Sequence, residues 1–255
     1  MPPAISELIE VAAPFRLAGE KIAIDLPGAC ALFTTRRGGC STGPYRSLNL
    51  GFGQLPDDER LAVERNRARL QERLGVSLAS ARQVHGARVG VLAAAPGDGS
   101  APEPADGHAT AICGVAPMVL TADCLPIAIA GDGAVAMVHA GWRGLAAGIV
   151  AAGVSALRAL GARGPLAAAV GPGAGRCCYE VGEETRTVFA AHGPRVRHGR
   201  NLDLKAIART ELARAGVNDV HDCELCTICV DSSLFYSHRR DRGVTGRQAG
   251  IAWLT

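Results

Sequence analysis

The sequence predicts an α+β fold with mixed and antiparallel sheets, and three observations carry that expectation. An Asp-Gly turn, Asp132-Gly133, separates the apolar runs 125–130 and 134–139, the signature of an antiparallel hairpin. The second run meets Gly141-Trp142-Arg143-Gly144, after which an Ala-rich helical pattern covers 145–160 and stops at Gly161. Strand and helix patterns otherwise alternate without the strand-helix-strand rhythm of a pure parallel sheet. No internal repeat or low-complexity linker divides the chain, so one domain over residues 1–255 is expected.

The remaining elements follow in order. Residues 14–35 alternate as strands do and end at the glycine turn Arg37-Gly38-Gly39. A helix is predicted over 57–74, with Asp57 and Asp58 at its start, Leu61, Leu70 and Leu74 on one face, and Gly75 as the stop. Short apolar runs at 115–120 and 166–170 read as strands, 183–191 and 204–215 as helices, and 249–254 as a closing strand.

Composition limits the function classes. With 255 residues, 48% hydrophobic and 20% charged, the chain builds a core and is not disordered. The balance of 27 basic against 24 acidic side chains, a net +3 without runs of like charge, argues against nucleic acid or an anionic membrane as the main partner. The longest stretch free of Asp, Glu, Lys and Arg is 107–122, short of the roughly 18 apolar residues of a span. The first ten residues lack the basic start and apolar core of a secretory signal, which places the protein in the cytoplasm; a monomer is the expected state. Nine cysteines, several within apolar segments, point to reduced thiols or metal ligands and not to a disulfide scaffold.

Folding the hairpin about Asp132 brings Cys124 and His139 to the same end of the ladder, with opposite or diagonal side chains roughly 5–8 Å apart. A thiolate and an imidazole so placed can share a metal or form a nucleophilic pair. His85, in Gln83-Val84-His85-Gly86, is a third candidate; two His and one Cys would make a zinc site with an open fourth position. Each of the three also has the plainer reading of a buried thiol or a hydrogen-bonded histidine. Arg143, at a glycine-flanked helix start, has the makings of an anion clamp. In Cys223-x-x-Cys226-x-x-Cys229 no separate Cys-x-x-Cys completes a four-thiolate site, so these residues, like Cys177-Cys178, read as packing, with Glu180 a weaker acid/base candidate.

Nine ordered motifs between residues 34 and 248 resemble one family. They are Thr34-Thr-Arg-Arg-Gly-Gly39, Gly43-Pro-Tyr-Arg-Ser-Leu-Asn-Leu-Gly51, Asn66-Arg-Ala-Arg-Leu70, Gln83-Val-His-Gly86, Thr121-Ala-Asp-Cys-Leu-Pro126, His139-Ala-Gly-Trp-Arg-Gly144, Cys177-Cys-Tyr-Glu-Val-Gly182, Cys226-Thr-x-Cys229 and Thr245-Gly-Arg-Gln248. On these the chain resembles the YfiH-type proteins, also called laccase-domain or polyphenol-oxidase-like proteins and purine nucleoside phosphorylases. The resemblance implies an α-β-β-α layered fold and zinc held by His85, Cys124 and His139. It also implies phosphorolysis of adenosine, inosine, guanosine and methylthioadenosine, with adenosine deamination in the same pocket, so the expected partners are purine nucleosides and phosphate. Some relatives are tied to editing of a muramyl peptidoglycan precursor. The chain departs from the family pattern at 52–57, at Ala105-Asp106-Gly107 and at Phe235-Tyr-Ser-His-Arg-Arg240, changes expected to alter the pocket wall.

For these reactions the expected roles are phosphate at Arg143 and the Gly144 helix start, and Arg36 as a second cation. Asn49 is expected to bind substrate, Gln83 to orient it, and Asp123, beside Cys124, to shuttle the proton in deamination. The rival enzyme is a zinc-assisted amidase on the muramyl precursor, and the rival from another class is a binding protein with a structural zinc. Copper fits less well than zinc: no His-x-His occurs, and three methionines supply few soft ligands.

Overall fold

A computed structural model of the chain describes residues 3–53, 55–95 and 103–255. After a short helix α1 (Ile5–Leu8), strands β1 (Arg16–Ala18), β2 (Lys21–Leu26) and β3 (Ala29–Thr34) form an antiparallel meander. Helix α2 (Asp57–Leu74) follows, then β4 (Ser77–Ala79), β5 (Gly90–Leu92), β6 (Gly107–Thr110) and β7 (Val115–Thr121). The hairpin is β8 (Leu125–Gly131) and β9 (Ala134–Ala140), followed by α3 (Trp142–Ala146), α4 (Ile149–Ala159) and β10 (Ala167–Val170). Helix α5 (Glu183–Val188), the small ladder β11 (Arg197–His198) with β12 (Asn201–Leu202), helix α6 (Leu204–Arg214), β13 (Asp219–Asp222) and β14 (Gln248–Leu254) complete the chain.

Two six-stranded sheets result, in the orders β1-β2-β3-β14-β7-β4 and β13-β10-β8-β9-β6-β5. The two-residue period of the strands sorts their side chains into layers. Leu125, Ile127 and Ile129 of β8 turn outward and pack with Ile149, Val150 and Leu157 of α4 and Ile207 of α6. Their neighbours Ala128 and Ala130, with Val135 and Met137 of β9, turn inward against Phe33, Val119 and Ala252 of the other sheet. On that sheet's far face Leu32, Met118 and Ile251 pack with Leu48, Leu50 and Leu70. Helix, sheet, sheet, helix is therefore the layer order, as the family resemblance implied.

The small inward residues let the sheets approach closely, and Gly250 marks one such close approach. A Cβ there would lie 2.5 Å from the Cβ of Pro126 and 3.0 Å from the Met137 sulfur. Gly250→Ala is accordingly expected to cost about 1–3 kcal/mol through overpacking, seen as a lower urea midpoint at unchanged slope.

Several elements differ from the sequence expectation. The helix over 145–160 is two helices, because Gly148 takes a left-handed φ of 88° and breaks the hydrogen-bonded ladder between α3 and α4. Residues 183–191 leave the α-helix after Val188 and end in a 3-10 turn, Ala190–His192. Leu61, expected on the apolar face of α2, is 51% exposed. The buried face runs instead through Glu59, Val63, Asn66 and Leu70. Asn66 belongs there because its amide donates to the carbonyls of Ser47 and Asn49 and to Ser41 Oγ, fastening the 41–49 loop to the helix. The short strands β4, β5, β6 and β13 carry too few residues for an alternating pattern to show. Among the described residues, no helix is long and apolar enough to cross a membrane.

Candidate active site

The hairpin register pairs Pro126 with His139 and Leu125 with Ala140, so Cys124 comes just before β8, facing Gly141 across the ladder. His139 continues the inward face of Val135 and Met137. Gly141 must be glycine, since a Cβ would lie 2.9 Å from Cys124 Sγ and 3.4 Å from the His85 ring. His85 arrives from a loop, its backbone held at a φ of 61°. The ligand atoms of His85, Cys124 and His139 all lie within 4.8 Å of one another, and the two imidazole rings meet edge to face at 4.8 Å. The structure thus joins the two ends of the hairpin to the loop histidine that spacing alone could not place.

Asp106 assembles this group, and its role was not foreseen. The carboxylate is fully buried and accepts four N–H groups: Val84 at 3.2 Å, His85 at 2.9 Å, Gly86 at 2.7 Å and His139 Nδ1 at 2.9 Å. Three of these fold the His85 loop around one side chain. The fourth places a proton on His139 Nδ1, because an ionised carboxylate only accepts, and leaves Nε2 as the ring atom that faces Cys124 and could bind a metal. Burial opposes the charge on Asp106, but the bonds from His139 and the Gly86 and Val84 amides hold its pKa below the ordinary 3.8. The sequence signal was Ala105-Asp106-Gly107, read only as a change in the pocket wall.

Burial also opposes a charge on Cys124, yet the adjacent imidazoles of His139 and His85 outweigh it and bring the thiol down to about 6. His139 moves the opposite way: burial alone would lower it, and Cys124 and Asp106 raise it to about 9. Two imidazoles and a thiolate, with a carboxylate behind one imidazole, form the donor chemistry of a three-ligand metal centre, and these residues fit one.

The other expected site residues divide sharply. Gln83 bonds both ends of its amide to the Leu120 backbone, at 2.9 and 2.8 Å, and so pins the His85 loop to β7. Asp123, held at a φ of 92°, accepts from Thr227 Oγ1, Ser237 Oγ and the Arg239 amide and so anchors the 227–239 segment. Asn49 is buried and bonded to the Gly51 and Arg247 backbone. The Arg36 guanidinium donates to the carbonyls of Arg46, Ser232 and Pro44, so three of its N–H groups hold loop backbone. Gly144 is a packing residue: a Cβ would come 3.0 Å from the Gly86 carbonyl. Polar residues in loops served here as architecture.

Arg143 stands apart. It is exposed, stacks 4.3 Å over Trp142, and has no carboxylate partner among the described residues. It borders a cleft of about 440 Å³ whose wall also includes Trp142, Tyr179, Glu180, Arg200 and Arg239. None of the three metal-ligand candidates lines this cleft, which opens beside them. Tyr179 connects the two: its ring lies 5.3 Å from the Arg239 guanidinium, and burial together with the nearby Cys124 pushes its phenol up to about 12.

The cysteine expectation also needs correction. Cys226 and Cys229 do not simply pack, because their sulfurs meet those of Cys177 and Cys178. Only Cys223 keeps the plain reading, buried between the sheets.

Fold and ligand set together define a class, layered α-β-β-α proteins with a His-Cys-His triad at the end of a central hairpin. A family described as multi-copper polyphenol oxidoreductase laccase matches residues 30–255, and the chain belongs to that family. It is 42% identical over 235 residues to a purine nucleoside phosphorylase of Pseudomonas aeruginosa, covering 88% of this chain and 93% of that one. To the purine nucleoside phosphorylase YfiH of Shigella flexneri it is 38% identical, covering 89% and 94%. The crystal structure of the YfiH protein of Bacillus licheniformis, 30% identical, superposes with a TM-score of 0.86 over 96% of this chain and all, 100%, of that one.

Proposed function

We propose that the protein is a zinc-dependent purine nucleoside phosphorylase, a cytoplasmic enzyme that also deaminates adenosine. The names carried by its relatives support the reaction class. The observation that carries the reading to this chain is the cleft itself: Arg143 and Arg239, neither paired with a carboxylate among the described residues, flank a wall that shares Tyr179 with the triad. Zinc is favoured over copper because the described residues hold one ligand group containing histidine, enough for a single ion and too few for a copper array.

His85, Cys124 and His139 would hold the ion, which when bound supplies Lewis acidity at an open coordination position. Arg143 and Arg239 bind the phosphate dianion and aim an oxygen at the ribose anomeric carbon. As the new C–O bond forms, the glycosidic C–N bond breaks and its electron pair passes to the purine, which takes up a proton. Tyr179, protonated at neutral pH, offers its O–H to the departing base. Inosine, guanosine and methylthioadenosine present the same bond as adenosine. For deamination a carboxylate must carry a proton; with Asp123 committed to its three donors, Glu180 on the cleft rim takes that role.

Incubation with inosine and phosphate is expected to give hypoxanthine and ribose 1-phosphate, identified by chromatography. Cys124→Ser should lose one zinc per chain and the activity together. Absence of hypoxanthine alongside cleavage of a muramyl-linked amide would replace this reading by the amidase.

A further inference from the structure

Outside the triad, the described residues hold one other ligand cluster: the sulfurs of Cys177, Cys178, Cys226 and Cys229 lie within 4.8 Å of one another. We propose that these four cysteines bind a second zinc ion, which ties the Tyr179 wall of the cleft to the 226–230 loop.

The geometry suits a single ion. Four thiolates around zinc, at about 2.3 Å each, stand roughly 3.8 Å apart at the corners of a tetrahedron. Cys177 and Cys229 are already 3.5 Å apart. An iron–sulfur cluster distributes its thiolates over separate irons and needs them more widely spread. Preorganisation comes from the backbone. Gly173 and Cys226 form a parallel bridge, with Gly173 N donating to Leu225 O and Thr227 N to Gly173 O. That bridge brings together two segments some fifty residues apart, a distance that hid the fourth and third ligands from sequence spacing.

A second observation points to a thiolate at this place. The Gly175 amide donates to Cys226 Sγ at 3.2 Å, as amides commonly do toward metal-bound sulfur. A Cβ on Gly175 would approach that sulfur to 3.3 Å and Cys177 Sγ to 3.2 Å, so the glycine leaves the cradle open. Cys226 is buried, whereas Cys177 and Cys229 reach the surface, which gives an ion a way in.

The consequence lies in the neighbours. Tyr179 directly follows Cys178, and Thr227, between the other two ligands, donates to Asp123 Oδ1 beside Cys124. An ion here would brace the cleft wall from behind without touching a substrate.

The test is elemental analysis of full-length protein prepared in reductant and loaded with zinc alone. Wild type is expected to hold two zinc ions per chain, Cys229→Ser and Cys177→Ser one each, Cys124→Ser one, and Cys124→Ser combined with Cys229→Ser none; Cys113→Ser, at an exposed thiol elsewhere, should keep two. Circular dichroism checks that the variants fold. Cobalt substitution gives an independent signal, since thiolate-to-metal charge transfer should fall strongly in Cys229→Ser. Two zinc ions in Cys229→Ser, one iron in place of the second zinc, or a Cys177–Cys229 disulfide in reduced wild type would each overturn the proposal.

Discussion

Asp106→Asn is expected to take metal affinity down by at least tenfold to a hundredfold and to destabilise the fold by about 3–5 kcal/mol. Both oxygens of Asp106 each receive two N–H donors. Whichever oxygen becomes an amide nitrogen, its own N–H groups then face two donors in a site closed to water. Freed from Asp106, the His85 loop and the His139 ring lose their common anchor. Denaturant unfolding of metal-free protein measures the stability loss, and competition with a chelator measures affinity. The pH dependence has a definite sign. Because the folded pKa of Asp106 lies below 3.8, its stabilisation is complete above that pH and is lost as pH falls through the folded value, so the gap between wild type and variant should narrow in acid. A variant that keeps both stability and zinc would show that the loop holds His85 without the carboxylate.

Arg143→Ala should leave zinc content and stability unchanged while raising the phosphate concentration needed for half-maximal phosphorolysis tenfold to a hundredfold. That matches about 1.5–3 kcal/mol for one charge-assisted contact. Adenosine deamination, which uses no phosphate, should suffer less. The comparison is both rates, against phosphate concentration, on one preparation. If both activities collapse together with zinc retained, Arg143 shapes the nucleoside pocket and the phosphate assignment passes to Arg239, which lines the same cleft.

Local patterns made the centre of the molecule legible. Two short apolar runs and the Asp-Gly turn between them specify the β8–β9 hairpin, and the hairpin by itself puts Cys124 and His139 at one end. His85 was a candidate from its own motif but could be joined to the other two only through family resemblance, since nothing in a loop's residues says where it lands. Asp106 was missed for a related reason: one acid just before a short strand gives no periodicity, and its importance lies in four donors brought from two other segments. Gln83, Asp123, Asn49 and Arg36 all carry hydrogen bonds that hold loops, which their motifs did not reveal, because a motif does not distinguish a side chain that holds a loop from one that holds a ligand. The cysteine cluster was hidden more deeply, since its two halves meet only through the bridge from Gly173 to Cys226.

The strand order also separates the molecule in time. Strands β8, β9, β6 and β10, with the intervening helices, join segments near in sequence, so the hairpin bearing Cys124 and His139 can form early. In the other sheet β14 lies between β3 and β7, and Leu254 pairs with Ala29. Closing so long a loop is slow, and until it happens the inward alanines of the first sheet and Phe33 of the second have no opposite face. During synthesis, the N-terminal meander must therefore remain unfinished while nearly the whole chain is made, an interval in which its open edge is exposed to chaperones and to other nascent chains.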